Sequence, residues 1–140
     1  MPTNLNPYLS FRDNAAEAME FYQSVFGGDL TMSKFGDYPM GMDPAENEKV
    51  MHAQLVAPGG MILMGADTPA SMEHSAAGGN VSCSLSGTDV DELRGYWTGL
   101  TAGGTETVPF EKAPWGDWFG MCVDRFGVSW LVNGGGTPEA

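Results

Sequence analysis

Asn14-Ala15-Ala16-Glu17-Ala18-Met19-Glu20-Phe21-Tyr22-Gln23-Ser24-Val25-Phe26-Gly27-Gly28 decides the fold, because the chain repeats its design as Thr88-Asp89-Val90-Asp91-Glu92-Leu93-Arg94-Gly95-Tyr96-Trp97-Thr98-Gly99-Leu100-Thr101-Ala102-Gly103-Gly104. Each stretch is a polar cap, an apolar stripe at three- and four-residue spacing and a closing glycine pair, which is the pattern of an amphipathic helix with a hard stop. The first stripe is Ala15, Ala18, Met19, Tyr22, Val25 and Phe26, and the second is Val90, Leu93, Trp97 and Leu100. Asp13 or Asn14 is expected to cap the first helix, with Glu17 in capping-box position, and Thr88 the second. The two stretches lie roughly 75 residues apart in a chain of 140, so the sequence holds two copies of one supersecondary unit, neither able to bury its apolar face alone.

Strands flank each helix. Asn6 to Phe11 alternates Leu9 and Phe11 on one face with Tyr8 and Ser10 on the other. Leu30 to Phe35 reads as a second strand, and Val50 to Ala57 with Met61 to Ala66 as a hairpin across Pro58-Gly59-Gly60. In the second copy Val81, Cys83 and Leu85 alternate with Ser82, Ser84 and Ser86. Glu106 to Phe110 follows the helix, and Trp118 to Asp124 pairs with Val128 to Asn133 across Asp124-Arg125-Phe126-Gly127. The expected organisation is one domain of two modules, about 4–67 and 81–134, joined by a small-residue linker over 68–80. Each module is strand, helix, strand, strand, strand. The helix covers one face of its sheet, so Tyr8, Ser10, Ser82, Ser84 and Ser86 are expected on the opposite face, and modules that curve toward each other would make these residues line a shared cup.

Composition limits the function. Eighteen acidic against six basic residues give a formal charge of −12 with no offsetting basic cluster, which argues against nucleic acid or an anionic membrane as partner. No apolar run reaches the roughly 18 residues of a membrane span and the first residues carry no basic, apolar leader, so the expectation is a soluble cytoplasmic protein. Cys83 and Cys122 each sit in an apolar strand pattern, too far apart for a Cys-x-x-Cys pair, and read as buried free thiols.

Residues 18–28, Ala-Met-Glu-Phe-Tyr-Gln-Ser-Val-Phe-Gly-Gly, and 115–130, Trp-Gly-Asp-Trp-Phe-Gly-Met-Cys-Val-Asp-Arg-Phe-Gly-Val-Ser-Trp, resemble the PhnB-like branch of the vicinal oxygen chelate superfamily, which includes glyoxalase, bleomycin-resistance proteins and extradiol dioxygenases. The resemblance covers nearly the whole chain. It implies an α+β fold of two βαβββ modules forming a cupped, partly open mixed β-sheet barrel with the helices outside, a homodimer, and a small organic molecule in the cup. Superfamily enzymes commonly hold a divalent metal there through His or Glu. The corresponding positions fall near Asn6 to Tyr8, Leu63 or Met64, Ser82 and Leu131, none of which is His or Glu, so no cofactor is expected, although a divalent metal held by other residues stays open. Family members have carried a methyltransferase label from ubiquinone synthesis, but here the glycine pairs follow helices instead of opening them as a nucleotide-binding turn does.

The candidate ligand-binding set is Tyr8, Ser10, His52, Gln54, Ser82, Ser84, Trp115 and Trp118. His52 and Gln54 share a strand face, and His52 matches a residue that the PhnB-like branch carries in this strand. It reads either as a hydrogen-bonded strand histidine or as a cup residue, whereas His74 beside Glu73 reads as a surface residue. Trp130 reads as core, and Trp115 in its Pro-Trp-Gly loop as a pocket residue. Glu106 and Glu111 are five apart and fall on opposite strand faces, against a paired acid–base role, while Asp67 reads as a turn former. Aromatic and hydroxyl groups in an acidic protein suit a neutral or cationic organic molecule. The leading expectation is a metal-independent small-molecule-binding protein of the glyoxalase/bleomycin-resistance type. The alternative is a metal-dependent lyase, isomerase or dioxygenase built around His52 and acting on a substrate with vicinal oxygens.

Overall fold

The computed structural model describes residues 5–37, 43–70 and 81–135. The chain divides into two compact units, residues 1–76 and 77–140. The first carries β1 (Tyr8–Phe11), α1 (Ala15–Phe26), β2 (Asp29–Lys34), β3 (Val50–Ala57) and β4 (Met61–Asp67). The second carries β5 (Cys83–Gly87), α2 (Val90–Thr101), β6 (Thr105–Lys112), β7 (Trp118–Val123) and β8 (Ser129–Gly134). The sheet orders are β1-β4-β3-β2 and β5-β8-β7-β6. In each sheet the first strand joins the last in parallel and the other neighbours run antiparallel. The α+β duplication is therefore present as two open mixed sheets, each with two edge strands. Of the expected linker over 68–80, residues 71–80, with His74, lie outside the described residues. Among the described residues no helix is long and apolar enough to cross a membrane.

Helix stripes and strand alternation define each core. Ala15, Ala18, Met19, Tyr22 and Phe26 of α1 are buried, as are Phe11, Ala53, Leu55, Ala57 and Leu63 of the sheet. Unit two buries Leu93, Trp97 and Leu100 of α2 with Cys83, Cys122, Trp130 and Val132 of its sheet. Fully burying a side chain such as Leu55 stabilises the fold by about 1.5–3 kcal/mol.

Both helix caps differ from expectation. Asn14 makes no side-chain cap bond. Instead the Ala15 N–H donates to Asp67 Oδ1 (2.9 Å), while Asp67 Oδ2 accepts from the Val50 N–H (2.9 Å), so one buried carboxylate holds the starts of α1 and β3. In unit two Asp89, one residue after Thr88, is the cap and accepts from the Glu92 N–H at 3.1 Å. A further correction concerns β5, which starts at Cys83, leaving Val81 72% exposed and Ser82 unpaired.

The glycine pairs have a steric cause. Gly28 sits at φ +98° against the β3 backbone, where a Cβ would collide with the Val56 carbonyl oxygen. Gly104 stands in the same relation to the Val123 carbonyl oxygen of β7. A side chain there would push the strand leaving each helix away from its hairpin. Gly28→Ala should therefore lose about 3–5 kcal/mol in urea unfolding, from left-handed strain plus overlap. Gly59→Ala, at φ +82° with open space around it, should lose only about 1–2 kcal/mol. Equal losses would contradict the close-approach explanation.

Candidate functional site

Residues paired across a sheet share a face, so the register gives the face opposite each helix. In unit one Tyr8 pairs with Met64, Met64 with Gln54 and Gln54 with Thr31, a row across all four strands. The adjacent row contains Ser10 beside Ala66 and His52 beside Ser33. Tyr8 is 51% exposed, and its hydroxyl lies 3.3 Å from His52 Nδ1 with the rings tilted against each other. Desolvation raises the Tyr8 pKa above its usual value, so the phenol stays protonated. Tyr8, Ser10, His52 and Gln54 are thus brought onto one face, with Thr31, which gave no sequence signal because the β2–β3 register is not visible in periodicity.

The matching face of unit two is more apolar. Ser84 pairs with Leu131, Leu131 with Met121 and Met121 with Val108. The next row holds Ser86, Asn133, Phe119 and Glu111. Trp115 is 65% exposed and meets Phe119 edge to face at 5.7 Å, on a turn closed by the Ala113 N–H to the Asp117 carbonyl. Trp118 falls on the other side. It pairs with Gly134 and alternates in phase with buried Gly120 and Cys122, and the Arg94 guanidinium of α2 lies 4.9 Å from its ring centre. The expectation that Trp118 joins Ser84 and Trp115 is therefore corrected, and Ser82, ahead of β5, lies off the sheet altogether. Trp130 is core, its Nε1–H donating to Asp124 at 2.9 Å.

The buried carboxylates among the described residues are Glu46, Asp67 and Asp124, and each is engaged structurally. Glu46 pairs with Lys49 at 2.8 Å and accepts from the Ala70 N–H, and the Lys49 hydrogen bond holds its carboxyl below the usual range. Lys49 also reaches Asp13. Asp124 accepts from the Phe126 and Val128 N–H groups as well as from Trp130, fixing the β7–β8 turn. Glu106 pairs with Cys122 and Glu111 with Phe119, three apart on β7 and so on opposite faces.

The superfamily's metal positions can be tested against this geometry. Tyr8 faces Met64 across β1–β4, Leu131 lies on β8, and Ser82 lies just ahead of β5. A phenol, a thioether, an alcohol and an alkyl group do not fit a divalent ion that takes carboxylate or imidazole ligands. Among the described residues no three His, Cys, Asp or Glu side chains group to hold an ion.

The sequence signature of the family described as 3-demethylubiquinone-9 3-methyltransferase matches residues 3–133. The chain belongs to that family. A similar curated protein is YjdN of Escherichia coli (strain K12), 31% identical over 92% of this chain and 93% of its own. Among solved structures, protein PA1353 from Pseudomonas aeruginosa is 35% identical, covers 96% of this chain and 98% of that one, and has a TM-score of 0.86. A putative 3-demethylubiquinone-9 3-methyltransferase, PhnB protein, from Bacillus cereus is 23% identical over 94% and 99% of the two chains, with a TM-score of 0.71. The glyoxylase/bleomycin resistance protein/dioxygenase domain from Frankia sp. EAN1pec, 16% identical over 97% and 99% with a TM-score of 0.64, has the same fold. This family member thus shares its fold with the PhnB protein and with the glyoxylase/bleomycin resistance protein/dioxygenase domain.

The thiols of this family member stand apart from any reactive site. Burial pushes Cys83 and Cys122 up to about 11, with the Asp124 charge adding to both. A thiol reagent at neutral pH should label neither in the native state and both after unfolding. Stability should fall as pH rises from about 9 toward about 11, because unfolded thiols ionise before the buried ones. Rapid native labelling would contradict this.

Proposed function

We propose that this protein is a metal-independent small-molecule-binding protein of the glyoxalase/bleomycin-resistance type, working in the cytoplasm as a homodimer. The carrying observation is the face opposite α1. Tyr8, Thr31, His52 and Gln54 put hydrogen-bonding groups beside Met64 on one sheet face, the combination of apolar surface and a few directed polar groups that organic ligands require. In unit two, Trp115 and Phe119 beside Met121 and Leu131 supply aromatic and apolar contact. The paired edge strands of each sheet support the homodimer, since exposed ladder groups favour strand-to-strand association.

The family's methyl-transfer name fits this chain less well. Gly28 and Gly104 serve the passage of β2 and β6 beside the hairpins, so these glycines are not available as a nucleotide cradle. The metal-dependent alternative is disfavoured by the donor set at the superfamily's positions, Tyr8, Met64, Ser82 and Leu131.

Elemental analysis of the purified protein should find no stoichiometric divalent metal, and His52→Ala should leave that unchanged. A small aromatic compound should quench tryptophan fluorescence, and Trp115→Phe should remove most of the quenching. Stoichiometric metal that disappears in His52→Ala would overturn the proposal.

A further inference from the structure

The formal charge of −12 hides an uneven distribution. On the face opposite α1, the paired residues are Tyr8 and Ser10 of β1, Asp29, Thr31 and Ser33 of β2, His52, Gln54 and Val56 of β3, and Ile62, Met64 and Ala66 of β4. Asp29 is the one carboxylate among them, and it pairs with Val56. Val56 is four residues along β3 from His52, roughly 13 Å at 3.3 Å per residue. Around His52, β1 presents Tyr8 and Ser10, β2 presents Ser33, β4 presents Ala66 and its own strand presents Gln54. Tyr8 is the only titratable group in that set, and desolvation keeps it in the neutral form. Among the described strand residues of this sheet face, the surroundings of His52 thus hold hydrogen-bonding groups and no carboxylate.

The Tyr8–His52 contact gives the patch a proton-dependent shape. The Tyr8 oxygen is 3.3 Å from Nδ1. When the imidazole is neutral with Nδ1 unprotonated, the Tyr8 O–H is spent as the donor to that nitrogen. When the ring takes up a proton, Nδ1–H must donate and the Tyr8 oxygen must accept. The hydrogen bond reverses, and the Tyr8 O–H is released to a third group. His52 Nε2–H is a donor as well, and the ring is now cationic. The released Tyr8 O–H, beside the positive ring, then offers one ligand oxygen a charge-assisted contact, while Nε2–H points away from the phenol and takes no part in it.

We infer that Tyr8 and His52 form a proton-coupled oxyanion site, which takes the carboxylate or equivalent oxyanion of a small organic acid and binds one proton with it. This inference rests on the reading of the face as the ligand side. It changes the ligand class: net charge alone favours a neutral or cationic molecule, whereas the local distribution favours an anionic one. Gln54 and Thr31, paired in the neighbouring row, add neutral donors that an oxyanion can use, and Met64 beside Tyr8 offers apolar contact to the rest of the molecule.

Benzoate and benzamide, alike in shape and different in charge, are suitable probes for the full chain by NMR, with the His52 resonance assigned through His52→Gln. Benzoate should shift Tyr8, His52 and Gln54 signals and bind at least tenfold more weakly at about pH 8.5 than at about pH 5.5. Benzamide should bind equally at both. Tyr8→Phe, at a half-exposed position, should weaken benzoate about tenfold, as expected for one hydrogen bond to a charged group. If both probes bind this face equally at every pH, or if Tyr8→Phe binds benzoate as tightly as the parent, the oxyanion inference fails while the ligand face stands. If neither probe perturbs the face, both readings fail.

Discussion

The constraint on which each half depends is the passage of a strand directly beneath a hairpin carbonyl, Gly28 under Val56 and Gly104 under Val123. Because no side chain intervenes, the chain leaving the helix joins the sheet at full hydrogen-bonding distance. The helix is then committed to one face, where its Tyr22 or Trp97 is buried. The opposite face keeps its own residues. A steric requirement at one atom in each module thereby determines which side chains can meet a ligand.

Polar burial follows the same economy. Asp67 binds the first N–H of α1 and the first N–H of β3, while Asp124 gathers three donors into the β7–β8 turn. Both carboxylates would be costly if left unsatisfied, and both fix the strands that carry ligand-facing residues. Val50 lies two residues from His52, and Trp130 is adjacent to Leu131. These acids therefore act on the candidate faces by positioning backbone and not by touching a ligand.

Much of this architecture was legible in the sequence because it rests on local periodicity. The stripe from Ala15 to Phe26 and the alternation at Leu9, Phe11, Cys83 and Leu85 assign helices and strand faces unaided, and the same alternation put Tyr8, Ser10 and Ser84 opposite the helices. What escaped depends on partners distant in sequence. Asp67 replaces Asn14 as cap from 52 residues away. Val81 and Ser82 fall outside β5, whose ladder with β8 starts at Cys83 and Trp130. Trp118 reads as a pocket residue until its pairing with Gly134 places it beside α2. Thr31 is invisible until β2 is registered against Gln54. Duplication also conceals divergence, since the modules share a backbone plan while Gln54 and Thr31 in one row correspond to Met121 and Val108 in the other.

The most direct measurement of the account is amide and side-chain chemical-shift mapping of the whole protein against a library of small organic fragments. The account predicts that fragments which bind perturb Tyr8, Thr31, His52, Gln54 and Met64, or Ser84, Phe119 and Met121, and leave the exposed sides of α1 and α2 unchanged. Perturbations confined to Glu17, Glu20 and Ser24 of α1 or to Glu92 and Thr98 of α2, with both sheet faces silent, would contradict it.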